Sequence, residues 1–237
     1  MKVEIWSDVV CPFCYLGKHI YEDALNEFSG KESIETIWKS FQLDPTLPKD
    51  APAMSTYEYL SEKKGMPVSQ ARQMTEQLAA RAAESGLEFH FDKAVIANTF
   101  DAHRVNHLGQ AKGLGSEIEE KLFEAHFKKG ENVADKNVLI KIGEAVGLPA
   151  AEVEKVLEED DYAKEVNNDI QEARMLGVRG VPFFVFNRKY AVSGAQPKDV
   201  FLKTLEQAFA EWRSEIPVPT IVSTSEGASC NIDGECN

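Results

Sequence analysis

The middle of the chain carries an unbroken series of helix patterns, and this series constrains the fold more than any other feature. Between Ser55 and Leu176, apolar residues recur every three to four positions in about six successive segments, and several of these segments end at glycine. So many consecutive helices do not fit a sheet in which strands and helices alternate. The sequence therefore predicts a separate helical layer between the two ends of the chain.

Strand patterns occur on either side of this helical series. Residues 3–6 and 33–41 read as strands with an amphipathic helix between them, which predicts a βαβ unit with parallel strands. Near the other end, the segments 180–187 and 189–194 read as a hairpin, and a final helix is predicted over 197–212. The predicted class is α/β, with a βαβ half and a ββα half around a large all-helical insertion.

The charge balance excludes two classes of partner. The chain has 26 Lys and Arg against 39 Asp and Glu, a net charge of -13, whereas nucleic acids and anionic membrane surfaces require clustered basic residues. No apolar run approaches the roughly 20 residues that span a bilayer, and the first residues lack the pattern of a secretory signal. We therefore expect a cytoplasmic protein whose thiols are kept reduced.

The four cysteines form two close pairs, Cys11 with Cys14 and Cys230 with Cys236. A chain of 237 residues with 43% hydrophobic content needs no structural disulfides, so paired cysteines in a reducing compartment indicate redox or metal chemistry. Zinc sites usually combine two pairs at short separation, but here the pairs lie more than 200 positions apart. This spacing favours redox chemistry for Cys11 and Cys14; a metal site and inert buried thiols remain as weaker alternatives.

Cys11 follows the first predicted strand and begins a helix, and this position has a definite chemical use. Unpaired N–H groups and the positive end of the helix dipole stabilise a thiolate there. With two residues between them, Cys14 can turn back to resolve a mixed disulfide formed on Cys11. Far along the chain, Pro182 heads a predicted strand. A cis Val181–Pro182 bond would bring that strand close to another loop, and an ordinary trans proline is the alternative.

Three motifs together resemble a known family. The segments "SDVVCPFCYLG", "NTFDAHR" and "GVRGVPFFVFN" resemble, in this order, the DsbA-like branch of the thioredoxin superfamily. They are most similar to its FrnE-type subgroup, which is related to 2-hydroxychromene-2-carboxylate isomerases. The resemblance implies a thioredoxin fold with Cys11 as the nucleophile, Cys14 as the resolving cysteine and Pro182 as the cis-proline. It also implies that the backbone of Val181 contacts an extended substrate.

The resemblance extends over about residues 1–212 and implies a division into domains. A thioredoxin-like domain would comprise residues 1–43 and 177–213, with a helical insertion domain over 44–176. The remaining residues, 214–237, are rich in Pro, Ser and Gly and read as a flexible tail that carries the second cysteine pair.

The residues between the two cysteines depart from the pattern of DsbA itself. DsbA has Pro-His there, and this chain has Pro12 and Phe13, both of which we expect to contact substrate. Without the histidine, the thiolate of Cys11 loses a stabilising neighbour, which predicts a less oxidising pair. The related isomerases carry serine where Cys11 stands and use glutathione, so the presence of both cysteines favours dithiol chemistry.

The motif "NTFDAHR" predicts a second part of the site. Asn98 can cap a helix, and His103 falls on the same face as Phe100 and His107. We expect Asn98 and His103 to line the cleft over Cys11, with simple packing as the alternative. Two histidines four positions apart also have metal-ligand spacing, but the H-E-x-x-H pattern is absent, so we expect no metal site.

These observations lead to one function and two alternatives. The predicted enzyme is a thiol–disulfide oxidoreductase, of the reductase or isomerase type, that acts on thiols or disulfides of proteins or small molecules. It requires no bound cofactor besides its redox-active disulfide. Cys230 and Cys236 are either an auxiliary redox pair or a pair without a role. The alternatives are a glutathione-dependent isomerase or transferase with a small aromatic substrate, and a non-catalytic chaperone-like binder.

Overall fold

The computed structural model describes residues 1–50 and 54–215, and these residues form six strands and nine α-helices. The strands are β1 (Lys2–Ser7), β2 (Glu35–Ser40), β3 (Met54–Ser55), β4 (Val95–Ile96), β5 (Phe183–Phe186) and β6 (Tyr190–Ser193). The helices are α1 (Pro12–Glu27), α2 (Thr56–Lys64), α3 (Val68–Glu84), α4 (Phe100–Ala111), α5 (Gly115–Phe123), α6 (Lys136–Ala145), α7 (Ala150–Glu158), α8 (Ala163–Met175) and α9 (Lys198–Glu215).

The central sheet joins the two ends of the chain. Its strand order is β2–β1–β5–β6; β2 runs parallel to β1, whereas β5 is antiparallel to both of its neighbours. The hairpin between β5 and β6 turns at Asn187 and Arg188, which both have positive φ, as a tight two-residue turn between twisted strands requires. The predicted βαβ and ββα halves are therefore confirmed.

The two faces of the sheet have different covers. Val3 and Ile5 of β1 point to the face that packs against α1 and α9, in a core with Tyr21, Phe184 and Phe201. Trp6 points to the opposite face, where it is fully buried with Ala173 of α8. Its indole N–H donates a hydrogen bond to the Asp169 carbonyl at 3.0 Å. The insertion thus lies directly on one face of the sheet instead of at a distance from it.

The insertion runs from β3 to α8 and has its own core among α4, α5, α6 and α7, with residues such as Ile118 and Leu139 fully buried. One feature differs from the predicted all-helical layer, because β3 and β4 pair as a two-stranded antiparallel sheet. Strands of two residues leave no alternating pattern in a sequence, so this sheet could not be read from it. Directly after α5, residues Glu124–Lys129 form a π-helical turn.

An aromatic stack connects α1 to the insertion. The ring of Tyr15 stacks on Phe123 with centroids 4.8 Å apart, and Phe89 stacks on Phe127 at the same separation. The Tyr15 hydroxyl also donates a hydrogen bond to Glu120 at 2.7 Å. Stacked pairs of this kind stabilise a contact by about 1 kcal/mol beyond their buried area, so this interface holds the first turn of α1 against the helical layer.

Within the described residues, none of the helices combines the length and the apolar character needed to cross a membrane.

Candidate active site

Cys11 and Cys14 lie at the junction between the end of β1 and the start of α1. Cys11 is the N-cap residue, Pro12 occupies the first turn, and the Cys14 amide donates to the Cys11 carbonyl at 3.0 Å. Both thiols are free and buried, with 4% of Cys11 and 1% of Cys14 exposed. Cys11 therefore occupies the helix end at which unpaired N–H groups favour a negative charge.

The loop before β5 faces this pair. The Val181–Pro182 peptide bond is cis, and the Cys11 Sγ lies 3.6 Å from the Val181 carbonyl oxygen, to which its thiol donates. The Pro182 carbonyl in turn accepts a hydrogen bond from the Gly194 amide at 2.8 Å, which ties the loop to the end of β6. The fold thus brings Cys11 next to Val181 and Pro182, which stand about 170 positions further along the sequence.

The environments of the two thiols differ. Burial raises the pKa of Cys14 well above its ordinary value, and the neighbouring Cys11 raises it further. The Asp8 backbone and the Ser7 side chain nearby lower this pKa, but they offset only part of the rise. Cys14 therefore keeps its proton, whereas Cys11 borders a cavity that Cys14 does not line.

The cavity has a volume of about 380 Å³ and lies between the sheet domain and the insertion. Cys11, Pro12 and Phe13 form one side of it, together with Gly180 and Val181. Most of the opposite wall is apolar and comes from the 43–47 loop, α2, α3 and the segments around Phe91 and Phe127; it includes Leu43, Leu47, Leu60, Met74 and Leu78. Phe13 is 43% exposed, so its ring lies at the mouth of the cavity.

Two buried polar groups interrupt this apolar wall. Asp8, 1% exposed, accepts a hydrogen bond from the Leu43 amide through Oδ2 at 2.8 Å, but its Oδ1 has no partner among the described residues. His126 lies in the π-helical turn and is also 1% exposed. Its Nδ1 likewise has no hydrogen-bond partner among the described residues. Both residues line the cavity. Unsatisfied buried groups are rare, and π-helical turns are frequent at functional sites.

Burial lowers the pKa of His126 to about 4, although the Asp8 carboxyl nearby opposes the shift. The imidazole is therefore neutral at pH 7. Because its ordinary value is 6.5, the unfolded chain binds a proton here before the folded chain does as the pH falls. The stability that depends on a neutral His126 is present above about pH 6.5 and is lost on acidification towards pH 4.

We expect His126→Gln to reduce the acid sensitivity of the fold. In the wild type, this one residue should remove about 2 kcal/mol of unfolding free energy between pH 7 and pH 5, whereas the glutamine variant has no such loss. Urea unfolding at the two pH values measures the difference. His90→Gln is the matched control, because His90 is partly exposed and paired with Glu88. Equal pH dependence in all three proteins would contradict the assignment of a buried neutral His126.

Gly17 lets α1 approach the Pro182 loop closely. A Cβ at this position would lie 2.9 Å from Pro182 Cγ and 3.4 Å from Phe184 Cζ, whereas a Cβ at Gly180 would have no neighbour within 4 Å. The absence of a side chain at Gly17 therefore sets the distance between the helix that carries the cysteines and the loop that faces them.

We expect Gly17→Ala to lower the free energy of unfolding by about 1 kcal/mol, since the cost of overpacking exceeds the gain in helix propensity. It should also slow any reaction that needs the present distance between Cys11 and Val181. Gly180→Ala, the same chemical change in the same region, should stay within about 0.5 kcal/mol of the wild type. Urea unfolding tests both variants, and a similar loss in the two would show that the contact with Pro182 is not the cause.

Asn98 and His103 do not line the cavity, which corrects the prediction made for them. Asn98 donates from Nδ2 to the Leu47 carbonyl at 2.6 Å, and it precedes Thr99, the N-cap of α4. His103 is buried, and its Nε2 donates to the Phe41 carbonyl at 2.9 Å. Both residues therefore form hydrogen bonds to the backbone of the 41–47 loop. The helical period tells which residues of α4 share a face, but it does not tell what that face contacts or how deep a residue lies.

Asp8 and His126 are site residues that were not predicted from the sequence. Asp8 stands three positions before Cys11 in "SDVVC", so its place at the end of a strand was a usable signal. His126 had no such signal, because its orientation depends on a π-helical turn that the sequence does not mark.

The predicted auxiliary pair, Cys230 and Cys236, falls outside the described residues.

Three possible metal ligands lie together on α1 and α5: His19, Glu22 and Glu120. The Lys18 ammonium already lies 2.9 Å from Glu22 and 2.6 Å from Glu120, so a cation occupies the place that a metal ion would take.

Comparison with known proteins agrees with this architecture. A probable DsbA oxidoreductase from Streptomyces coelicolor has a crystal structure that is 38% identical, with a TM-score of 0.85, over 100% of this chain and 98% of that one. The uncharacterized protein YwbO of Bacillus subtilis (strain 168) is 29% identical over 207 residues, which are 86% of this chain and 96% of YwbO.

A more distant neighbour shares the fold alone. The cytosolic disulfide reductase DsbM from Pseudomonas aeruginosa is 18% identical, with a TM-score of 0.62, over 89% of this chain and 100% of that one. Residues 2–206 match the family described as the DSBA-like thioredoxin domain. The resemblance to the DsbA-like branch is confirmed, and this chain belongs to the family of DSBA-like thioredoxin domains.

Proposed function

We propose that this chain is a thiol–disulfide oxidoreductase that works through Cys11 and Cys14, with Cys11 as the nucleophile. One observation carries the proposal: the Cys11 thiol lies at the N-terminus of α1, borders a cavity, and faces the Val181 carbonyl at 3.6 Å. A free thiol at this helix end, opposite a loop with a cis-proline, has the position of an attacking group.

The reaction transfers two electrons from the dithiol to a disulfide. The Cys11 thiolate attacks one sulfur of the substrate, the substrate disulfide breaks, and the departing thiolate takes a proton from water. The Cys14 sulfur then attacks Cys11 Sγ and forms the Cys11–Cys14 disulfide, while the proton of Cys14 ends on the second departing thiol. The substrate leaves as two thiols, and the protein is left oxidised until a thiol reductant restores it.

The surrounding residues receive roles in this proposal. The Val181 backbone and the Pro12 and Phe13 side chains contact the part of the substrate next to its sulfur, since all three line the cavity. Asn98 and His103 act indirectly, because they hold the 41–47 loop that forms the opposite wall. We assign residues 1–43 and 177–213 to the redox domain and residues 44–176 to the domain that closes the cavity.

We further propose that the pair reduces disulfides in a reducing compartment. Phe13 provides no charge beside Cys11, and His126 is neutral, so the thiolate is stabilised chiefly by the helix end. Weak stabilisation of the thiolate makes the dithiol a better reductant than the pair of DsbA. Equilibration with reduced and oxidised glutathione decides the direction: the proposal requires the pair to be mostly reduced at a cytosolic ratio.

Thiol counting tests the proposal as a whole. The reduced protein, freed of reductant, is mixed with a disulfide, quenched in acid and alkylated, and the modified cysteines are identified by mass spectrometry. The proposal requires the wild type to lose two thiols per chain, those of Cys11 and Cys14. It also requires the number of thiols lost to differ from this in each serine variant of the pair. A protein that keeps both thiols against every disulfide has another function.

A further inference from the structure

The cavity beside Cys11 is built for a particular kind of substrate. We propose that it receives one arm of a low-molecular-weight disulfide that ends in an ammonium group, and that Asp8 binds this ammonium. The inference rests on the proposed function, since Cys11 must attack the sulfur of the same molecule. It names the substrate class of that site.

The size and the closure of the site favour a small molecule over a protein. The volume of about 380 Å³ lies near the lower end of the range for ligand pockets, roughly 300–1,000 Å³. Only 4% of Cys11 is exposed, and the cavity that it borders is walled by residues of α2, α3 and the segment of Phe127. A cysteine in a folded protein would have to displace this cover before its sulfur reached Cys11.

Asp8 determines which chemical group the inner end of the arm must carry. Its Oδ1 is an acceptor without a partner in the described chain, although the residue is almost completely buried. His103 Nε2 is 3.5 Å away, but its N–H points to the Phe41 carbonyl. A buried carboxylate oxygen that faces a cavity requires a hydrogen-bond donor, and a charged donor forms the strongest bond.

His126 supplies a second hydrogen-bond acceptor when its Nδ1 carries no proton. Its Nδ1 also has no partner among the described residues, and the ring borders the same cavity. An ammonium group has three N–H donors. It can therefore satisfy both Asp8 and a neutral imidazole nitrogen, whereas a hydroxyl group can donate to only one of them.

The other charges around the cavity argue against an anionic arm. Glu119, the acid on α5 near Asp8, already accepts hydrogen bonds from Ser7 and Asn106. Asp44 accepts hydrogen bonds from Thr46 and Tyr59. Among the described residues that line the cavity, Lys64 is the single basic side chain of the Lys or Arg type, and it is exposed at the end of α2. Burial lowers the pKa of His103, but the Asp8 and Glu119 carboxyls raise it by more, so the net shift is upward; this imidazole lies 3.5 Å from Asp8 and does not line the cavity. A carboxylate such as those of glutathione would therefore meet Asp8 with no cation of the cavity wall except the exposed Lys64 to compensate it.

A series of three disulfides with arms of similar size tests the inference. Cystamine carries ammonium groups, bis(2-hydroxyethyl) disulfide is uncharged, and dithiodiglycolate is anionic. The reduced protein, with Cys230 and Cys236 replaced by serine, is mixed with each disulfide, and the second-order rate of thiol loss is measured in a single turnover. Each rate is divided by the rate with free 2-mercaptoethanol, because the leaving thiols differ in intrinsic reactivity.

We expect the normalised rate with cystamine to exceed that with bis(2-hydroxyethyl) disulfide by about tenfold, and dithiodiglycolate to be the slowest. Asp8→Asn keeps an oxygen for the Leu43 amide and should reduce the preference for cystamine to about threefold or less. Asp44→Asn removes a carboxylate from the same wall whose oxygens are already bound, so the preference should remain.

The outcomes separate this inference from the function on which it rests. Equal normalised rates for the three disulfides, or a preference for the anionic one, would overturn the inference and leave the oxidoreductase intact. The inference also fails, with the oxidoreductase unaffected, if Asp44→Asn abolishes the preference as fully as Asp8→Asn does. If no disulfide oxidises Cys11 and Cys14, the proposed function fails, and the inference fails with it.

Discussion

Serine in place of Cys11 will abolish disulfide reduction, with a loss of at least about 1,000-fold in the rate of exchange. A serine hydroxyl is not ionised near neutral pH, so the nucleophile disappears although the shape of the side chain is nearly kept. Cys14 cannot replace it, because burial raises the pKa of Cys14 well above its ordinary value and the residue is 1% exposed. Single-turnover thiol loss and reduction of a chromogenic disulfide both measure the effect.

This result needs a control for folding. The Cys11 thiol donates a weak hydrogen bond to the Val181 carbonyl at 3.6 Å, and a serine hydroxyl can donate to the same oxygen. We therefore expect the free energy of unfolding to change by less than about 1 kcal/mol. Turnover close to that of the wild type in a folded Cys11→Ser protein would refute the role of Cys11 as nucleophile.

The sheet could be predicted because its signals are local. The β-branched and aromatic runs that become β1 and β5, the tight turn at Asn187 and Arg188, and the long series of helix periods can each be read from neighbouring residues. The pairing of β1 with β5 joins residues about 180 positions apart, and the resemblance to a family supplied it. The β3–β4 pair was missed because strands of two residues leave no periodic signal.

The site, like the fold, has residues that could be predicted from the sequence and residues that could not. Cys11, Cys14 and Pro182 stand out through spacing and through the resemblance, and the structure brings them together. The cavity could not be predicted, because its wall is assembled from loop residues, from α2 and α3, and from the π-helical turn, which are far apart in sequence. The role of Asp8 could not be predicted either, because it depends on an Oδ1 without a hydrogen-bond partner among the described residues. Oδ1 lacks this partner because the N–H of His103 points to the Phe41 carbonyl.

The insertion has a consequence for chemistry as well as for folding. The aromatic stack of Tyr15 with Phe123 holds α1 against the helical layer, and the same layer closes over Cys11. The Cys11 thiol is therefore almost completely buried, and Phe13 is exposed beside it. The helical layer thus contributes both to the packing of α1 and to the wall of the cavity that Cys11 borders.

Replacing Cys14 by serine will leave the first step of the reaction intact and block the second, unlike the replacement of Cys11. Cys11 still attacks the substrate and releases one half of it, but no second sulfur is present to break the bond between Cys11 and the other half. We expect a covalent adduct of one substrate arm per chain on Cys11, found by mass spectrometry without reductant and removed by dithiothreitol. If Cys230 and Cys236 act as an auxiliary pair, the adduct will decay in the otherwise native chain and persist when both are serine. Absence of an adduct when Cys230 and Cys236 are serine as well, with the wild type active, would show that Cys14 is not the resolving thiol.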